Sequence, residues 1–239
     1  MTARLAALAV LLLPPAAHAG LIIEGTEGGD ASTTVLEGKR LRVEVAGSEG
    51  AMIWDGEARK IVYIEPREKQ YSELTEGEAK AASAEAEKRL AQMPPELRAK
   101  LEEQMGGSKK AAARPVVKWE RTGKSDTALG RRCDVYRQLL DGKLEGEACL
   151  IPFDALKMEP ADLAALESFA QYMAALSPVG GSQSAGWTEL TKAPGFPAIT
   201  WRVEDGMRTE QFRATKVERT SVSADRFQVP AGFKKVPLR

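Results

Sequence analysis

The sequence predicts an α+β fold, in which a large twisted antiparallel sheet carries helices packed on one face. Three observations predict it. Short apolar runs separated by turn residues fill positions 21–74, and similar runs return in the second half of the chain. Helical periodicity is confined to the intervals between these runs. Helices that fall between groups of antiparallel strands, rather than alternating one by one with parallel strands, favour α+β over α/β.

The first group of strands is predicted by alternation and by turns. Leu41, Val43 and Val45 alternate with charged residues, which is the period of a half-buried strand. Short strands at 51–54, 60–65 and 70–74 follow, and the Asp55-Gly56 pair is a strong hairpin signal. Three turns within about thirty residues predict an antiparallel meander.

Three helices are predicted. Thr75 and Glu78 fit a capping box, and an Ala/Glu/Lys-rich helix follows to about Gln92. A second helix is predicted after Pro94-Pro95, ending at Gly106, and a third begins at Pro160 and ends at Pro178. The second carries Leu97, Leu101 and Met105 on one face, and the third an apolar stripe of Leu163, Leu166, Phe169 or Ala170, Met173 and Leu176.

The second group of strands is predicted at 116–119, 130–140, 143–151, 198–204 and 207–221. Asp141-Gly142 and Asp205-Gly206 are the turn signals within it. Val117 with Trp119, and Ile199 with Trp201, alternate with polar residues and predict inward faces.

The first nineteen residues are typical of a secretory signal peptide. A basic start is followed by the apolar run Leu5–Leu13 and by Ala17-His18-Ala19, a small-x-small cleavage pattern. The run is too short for a membrane span, which needs about 20 residues. We therefore expect a signal peptide at 1–19, a single domain at 20–239 without a transmembrane segment, and a periplasmic location, with release into the medium as the alternative.

Composition excludes several classes of function. Lys plus Arg and Asp plus Glu each number 34, so there is no electrostatic case for nucleic acid binding. The only histidine, His18, lies in the leader, so the mature chain lacks an imidazole base or a histidine metal ligand. No convincing carboxylate pair or metal-binding spacing occurs. The prediction is a protein without catalytic residues, metal or cofactor.

The only two cysteines, Cys133 and Cys149, lie on the two arms of the hairpin predicted around Asp141-Gly142. An oxidising compartment favours a structural disulfide. A redox-active pair is disfavoured because the spacing is not Cys-x-x-Cys. With a two-residue turn, however, Cys133 lies opposite Leu150, one residue out of register with Cys149. A direct bond therefore requires a bulge or a slightly longer turn.

Several stretches resemble a bacterial family catalogued as domain of unknown function 4412. The resemblance rests on the segments at 38–45, 51–56, 60–64 and 70–74, on the Gly130-x-x-Cys133-x-x-Tyr136 strand and on the ending at 227–233. That family in turn resembles the fold of periplasmic lipoprotein carriers. The resemblance implies a strongly curved sheet, a half-open barrel, with about three helices on its concave face and an apolar cavity between them. It does not imply a known activity, because none is known for the family.

Aromatic side chains on the predicted strands and on the third helix are the candidate ligand-binding residues. The predicted function is binding of an apolar ligand, a lipid or an acyl chain, in a cavity between sheet and helices. The alternatives are an envelope structural or interaction protein with a packed interior, which would bind another envelope protein, and an enzyme that uses no histidine. The candidates are Trp54, Tyr63, Trp119, Tyr136, Phe169, Met173, Trp201 and Phe212.

Overall fold

A computed structural model describes residues 19–47, 50–97, 100, 116–176 and 193–238. The predicted leader up to residue 18, most of the second predicted helix and Pro178 lie outside the described residues. The strands of the described part are β1 (Ala19–Glu27), β2 (Asp30–Glu37), β3 (Arg40–Val45), β4 (Ala51–Asp55), β5 (Lys60–Glu65), β6 (Gln70–Thr75), β7 (Val117–Ala128), β8 (Arg131–Leu140), β9 (Lys143–Ile151), β10 (Phe196–Glu204), β11 (Met207–Ser221) and β12 (Lys234–Lys235).

All of these strands belong to one sheet, in the order β12-β6-β5-β4-β3-β2-β1-β11-β10-β9-β8-β7. Every pair is antiparallel except β12 with β6, which is parallel. The edge strand β7 contacts β11, although three strands lie between them in the sheet. The sheet is therefore strongly curved in this half, but it does not close. The predicted α+β class, with a large and mostly antiparallel sheet, is confirmed.

The two later hairpin signals are confirmed as two-residue turns. Asp141 and Gly142 have φ of 49° and 80°, and Asp205 and Gly206 have 50° and 78°. These values match the type I′ turn, which suits the twist of a hairpin.

The Asp55-Gly56 signal marks a hairpin of another kind. Residues 56–59 form a longer turn, because Asp55 pairs with Lys60. Gly56 serves close packing instead, since a Cβ there would lie 2.7 Å from the Lys39 carbonyl oxygen and 2.8 Å from Ser168 Oγ.

The first predicted helix is confirmed with its cap. Helix α1 (Glu76–Gln92) begins after Thr75, whose hydroxyl accepts a hydrogen bond from the Glu78 backbone N–H at 3.3 Å. The Glu78 carboxylate accepts from the Thr75 backbone N–H at 2.9 Å, which completes the capping box. Residues 95–97 are also helical. Where the third helix is predicted, a 3-10 helix (Pro160–Leu163) leads directly into helix α2 (Ala164–Leu176).

Strand β7 is much longer than the four residues predicted. It continues through Glu120–Ala128, where charged residues and Gly123 give no alternating pattern. The pattern is missing because β7 is an edge strand whose side chains at 123–127 are exposed. A bulge at residues 122–124 interrupts its pairing with β8. Charges and a bulge on an edge strand oppose unwanted pairing with other chains.

The two faces of the sheet carry different cores. The inner face, defined as the one that holds α2, contains the main core, which includes Leu41, Trp54 and Ile61. The outer face is covered by the C-terminal segment, residues 224–235, over strands β4 and β5. Phe227, Val229 and Phe233 of this segment pack there against Ala51, Ile53, Val62 and Ile64.

The disulfide between Cys133 and Cys149 is present, with a Cα–Cα distance of 5.3 Å. A bulge between β8 and β9 makes it possible, as the sequence requires. The bulge lies between Gln138 and Leu139, so that Val135 rather than Asp134 pairs with Cys149. Cys133 therefore lies two residues along β8 from Val135, on the same face as Val135 and Cys149, and both cysteine side chains point to the inner face.

Candidate functional site

An open groove lies at the rim of the inner face. Its volume is about 610 Å³. Strands β3 to β6 form its floor, and the end of the chain forms one side. We call it the rim groove; its lining consists of Val43, Val45, Gly50, Ala51, Met52, Tyr63, Ile64, Glu65, Ser72, Val236, Pro237 and Leu238.

Strand register builds the floor of the rim groove. Val43 pairs with Met52, Met52 with Tyr63, and Tyr63 with Ser72. Residues that are directly opposite in an antiparallel pair project from the same face, with Cβ atoms about 5 Å apart. The four side chains therefore form one row across four strands. The row is apolar at the β3 end and carries hydroxyl groups at the β6 end.

The side of the rim groove is made by the residues that follow β12. The Val236 backbone N–H donates to the Tyr71 carbonyl at 2.8 Å, and the Lys234 N–H donates to the Lys69 carbonyl at 2.9 Å. Lys235 forms an ion pair with Glu73, which also pairs with Lys60 at 2.8 Å. The chain thus passes from the outer face around the edge of β6 and ends beside the groove.

Tyr63 and Glu65 supply polar groups to the groove. They lie two residues apart on β5 and so project from the same face. Burial raises the pKa of the Tyr63 phenol above its ordinary value of 10. Ser72 is buried beside Tyr63. The polar groups can orient a ligand, while the walls bury apolar surface.

Next to the groove, the space between the sheet and α2 is filled by aromatic side chains. The Trp54 ring lies 4.5 Å from the Tyr172 ring and 5.8 Å from the Phe169 ring, measured between centroids. Trp54 Nε1 donates to Ser168 Oγ at 2.8 Å, and the Tyr172 hydroxyl donates to the Leu74 carbonyl at 3.2 Å. Burial raises the pKa of Tyr172 to about 12. This region is a satisfied core.

The structure separates the eight predicted ligand-binding residues into four places. Only Tyr63 lines the rim groove. Trp54 and Phe169 belong to the core under α2, with Met173 packed against it, and Trp201 and Phe212 belong to the same core in the β10–β11 region. Trp119 and Tyr136 pack with Ala148 and Leu150.

The predicted inward face of Trp119 is wrong. Trp119 packs in one cluster with Ala148, which is next to Cys149 in β9. The Cys149 side chain is on the inner face, so Ala148 and Trp119 lie on the outer face. The alternation of Val117 and Trp119 predicts that one face is apolar, but it does not say which. The outer face at this point has its own small apolar cluster.

Trp201 lies beside charged residues. The Arg208 guanidinium lies 3.9 Å from the centre of the Trp201 ring, a cation–π contact. Arg208 also pairs with Glu147 at 3.1 Å, and Arg137 lies 3.7 Å from the same carboxylate. Glu147 is only 8% exposed. The two arginines compensate the buried charge, which would otherwise be costly.

Sequence reasoning misses most of the groove. It places Val43, Val45 and Met52 on strands but not in a site, and it gives the last residues of the chain no role. The alternation that puts Val43 and Val45 on one face is the signal that could have found the floor. The wall formed by residues 236–238 depends on β12 pairing with β6 across a distance of about 160 residues in sequence, which a local pattern does not reveal.

Two further findings bear on the site. In the described ranges, no group of three or more His, Cys, Asp or Glu side chains is arranged to hold a metal ion. Among the helices of the same ranges, none is long and apolar enough to cross a membrane.

Comparisons with known proteins give a distant structural similarity and no family. No family model matches the chain, and no curated protein matches it. Among solved structures, the chain is similar to an uncharacterized conserved protein from Thermus thermophilus, with 6% sequence identity and a TM-score of 0.46. The similarity covers 93% of this chain and 92% of that one. The resemblance to domain of unknown function 4412 and to the lipoprotein carriers stays a prediction.

Proposed function

We propose that this protein is an exported, non-catalytic binding protein that holds a lipid or an acyl chain in the rim groove. The observation that carries the proposal is the groove itself, which combines a volume of about 610 Å³ with walls that are mostly aliphatic. Binding sites for small molecules have volumes of roughly 300–1,000 Å³, apolar walls and few polar groups. The rim groove has this composition.

The shape of the floor favours a chain-like ligand. The row from Val43 to Ser72 crosses four strands, and neighbouring strands are about 4.8 Å apart. An extended hydrocarbon can lie along this row and contact each side chain in turn. Hydroxyl groups at the β6 end then provide a place for a polar end of the ligand.

The disulfide supports the exported location in the proposal, because disulfides persist in oxidising compartments such as the periplasm. The signal-like leader supports the same location. A carrier outside the cytoplasm would protect the apolar part of its ligand from water.

The direct test is to purify the protein from a periplasmic extract after expression with its leader. Native mass spectrometry and organic extraction of the same sample then report any retained ligand. The proposal predicts about one lipid-sized mass per chain. A bare chain that also fails to bind added lipids and alkyl probes would contradict it.

A matched pair of variants tests whether the ligand binds in the rim groove. Met52→Gln puts an amide into the floor of the groove and is expected to weaken binding at least fivefold, because apolar contact is lost. Met207→Gln is the control, since Met207 is 70% exposed at the β10–β11 turn, away from the groove. Equal affinities for the two variants would place the ligand elsewhere.

The alternative proposal is an envelope interaction protein. The filled space between Trp54, Phe169 and Tyr172 favours it, because this part of the interior has no room for a ligand. The partner would dock on the edge strand β7 or on α1. An uncharged polarity-sensitive dye, such as Nile red, separates the two proposals. The carrier should bind the dye at the rim groove and release it when Met52 is replaced by Gln, whereas the interaction protein should not bind it.

A further inference from the structure

The rim groove has an uneven distribution of charge. Among the described residues that line it, Glu65 is the single charged side chain. The neighbouring charges of β5 and β6 project to the other face, because side chains alternate along a strand. Lys60, Glu73 and Lys235 form their own ion-paired cluster there. Apolar walls with one carboxylate create a negative potential at one end of the groove.

Glu65 is half-buried and forms no ion pair with a lysine or an arginine in the described part of the chain. Gln70 lies between Glu65 and the cation Lys234 across the strand pairs of this edge. Glu65 pairs with Gln70, and Gln70 pairs with Lys234. Lys234 is exposed, so water screens its charge more strongly than that of Glu65.

We infer that the rim groove selects an amphiphile with one alkyl chain and a cationic ammonium head, with the head at Glu65. The inference rests on the proposed function. Charge complementarity carries it, since an ammonium group pairs with the carboxylate while the carboxylate of a free fatty acid is repelled. Tyr63 lies on the same face two residues away, and an aromatic ring near an ammonium group adds a cation–π contribution.

The test compares three probes that share a dodecyl chain and differ in the charge of the head: dodecyltrimethylammonium, dodecyl maltoside and dodecanoate. Affinities are measured by isothermal titration calorimetry at neutral pH and low salt, below the micelle concentration of each probe. The expected order is cation, neutral head, anion. A charge at about 4 Å in a watery site changes the affinity roughly fivefold relative to a neutral head, so cation and anion, one attracted and one repelled, should differ by roughly twenty-five-fold.

Glu65→Gln removes the charge and should make the affinities of the three probes nearly equal. The affinity for the neutral probe should change little. Glu68→Gln is the control, because it makes the same change in net charge at an exposed position of the β5–β6 turn. Glu68→Gln should leave the preference for the cationic over the anionic probe as it is in the wild type. The thermal transition of each variant shows that it is folded.

The outcomes separate this inference from the proposed function. If none of the three probes binds to the wild-type protein, the proposed function fails. If all three bind with the same affinity, or if dodecanoate binds most tightly, the groove binds chains but this inference is wrong. If Glu65→Gln and Glu68→Gln reduce the preference equally, the selection comes from net charge rather than from Glu65, and the inference is again wrong.

Discussion

The two halves of the sheet are stabilised in different ways. In the half formed by β1 to β6, which we call the covered half, strands β4 and β5 bury side chains on both faces, in the core under α2 on the inner face and against the C-terminal segment on the outer face. Strands β7 to β11 are curved, so that β7 contacts β11, and are joined by the disulfide. Both halves bury apolar side chains in one shared inner core, but the covered half adds an outer layer formed by the C-terminal segment, whereas the curved half adds a covalent bond.

The tryptophans of the two halves illustrate this difference. Trp54 is completely buried, and its one polar atom donates to a neutral hydroxyl. Trp201 is also buried, but its ring supports Arg208, which pairs with the buried Glu147. The first is part of a dry core under a helix. The second lies where the core meets charged groups near the end of the strands.

The largest effect is expected from Trp54→Ala. It removes a fully buried ring, its contacts with Phe169 and Tyr172, and the partner of Ser168. Large-to-small changes of this kind lower the free energy of unfolding by about 3–5 kcal/mol. Urea denaturation followed by circular dichroism measures the change.

Trp119→Ala is the control in the curved half. Trp119 is half-buried in the small cluster of the outer face, so Trp119→Ala should lower the free energy of unfolding clearly less than Trp54→Ala does. If Trp119→Ala destabilised the protein as much as Trp54→Ala, the proposed difference between the two halves would not hold.

Reduction of the disulfide is expected to have the next largest effect. A bond that closes a loop of about fifteen residues stabilises by about 3 kcal/mol in the chain-entropy model. Urea denaturation with and without a phosphine reductant measures the effect. Under denaturing conditions without reductant, the protein should also contain no titratable thiol, because both described cysteines are bonded. One thiol per chain would contradict this.

Much of the fold was predictable because its signals are local. The capping box at Thr75 and Glu78 and the turns at Asp141-Gly142 and Asp205-Gly206 each occupy four residues or fewer, and each is confirmed. The requirement for a bulge near the disulfide was also visible, since Cys133 and Cys149 fall out of register across a two-residue turn. The residues that lie opposite each other across a hairpin can be counted from the position of its turn, without knowledge of the rest of the chain.

The candidate site was far less predictable, because its parts meet only in the folded sheet. The tail reaches the groove because Lys234 pairs with Gln70, and neither residue signals the other. Large aromatic residues are the natural candidates for a binding site, yet a ring such as that of Trp54 fills space and forms core. The aliphatic row that starts at Val43 is less conspicuous in the sequence, and it is left open where the helices do not cover the sheet.

The outer layer of the covered half is tested by Phe233→Ala. Phe233 is half-buried against Ile53, Val62 and Ile64, so Phe233→Ala should lower the free energy of unfolding by about half as much as loss of a fully buried phenylalanine, about 1.5–2.5 kcal/mol. Leu238→Ala is the control, since Leu238 is 48% exposed and should cost roughly a few tenths of a kcal/mol. Equal effects in urea denaturation would mean that the C-terminal segment does not stabilise the sheet.

The smallest effect is expected at the ion-paired edge of the covered half. Hydrogen bonds from Lys235 and then from Lys60 lower the pKa of Glu73 below its ordinary value of 4.5. A carboxylate whose pKa is lower in the folded state stabilises the protein above pH 4.5, and this contribution is lost as the pH falls through the folded-state pKa. Glu73→Gln should therefore lower stability slightly at pH 7, by at most about 1 kcal/mol for such partly exposed pairs.

The pH dependence distinguishes this ion pair from simple packing. The stability of the wild-type protein should fall more steeply below pH 4.5 than that of Glu73→Gln, so the difference between them should shrink as the pH decreases. Urea denaturation at a series of pH values between about 7 and about 2 measures it. Because Lys235 holds the tail beside the rim groove, loss of this pair should also weaken ligand binding at acid pH. A difference that stays constant with pH would show that Glu73 acts through its shape and not through its charge.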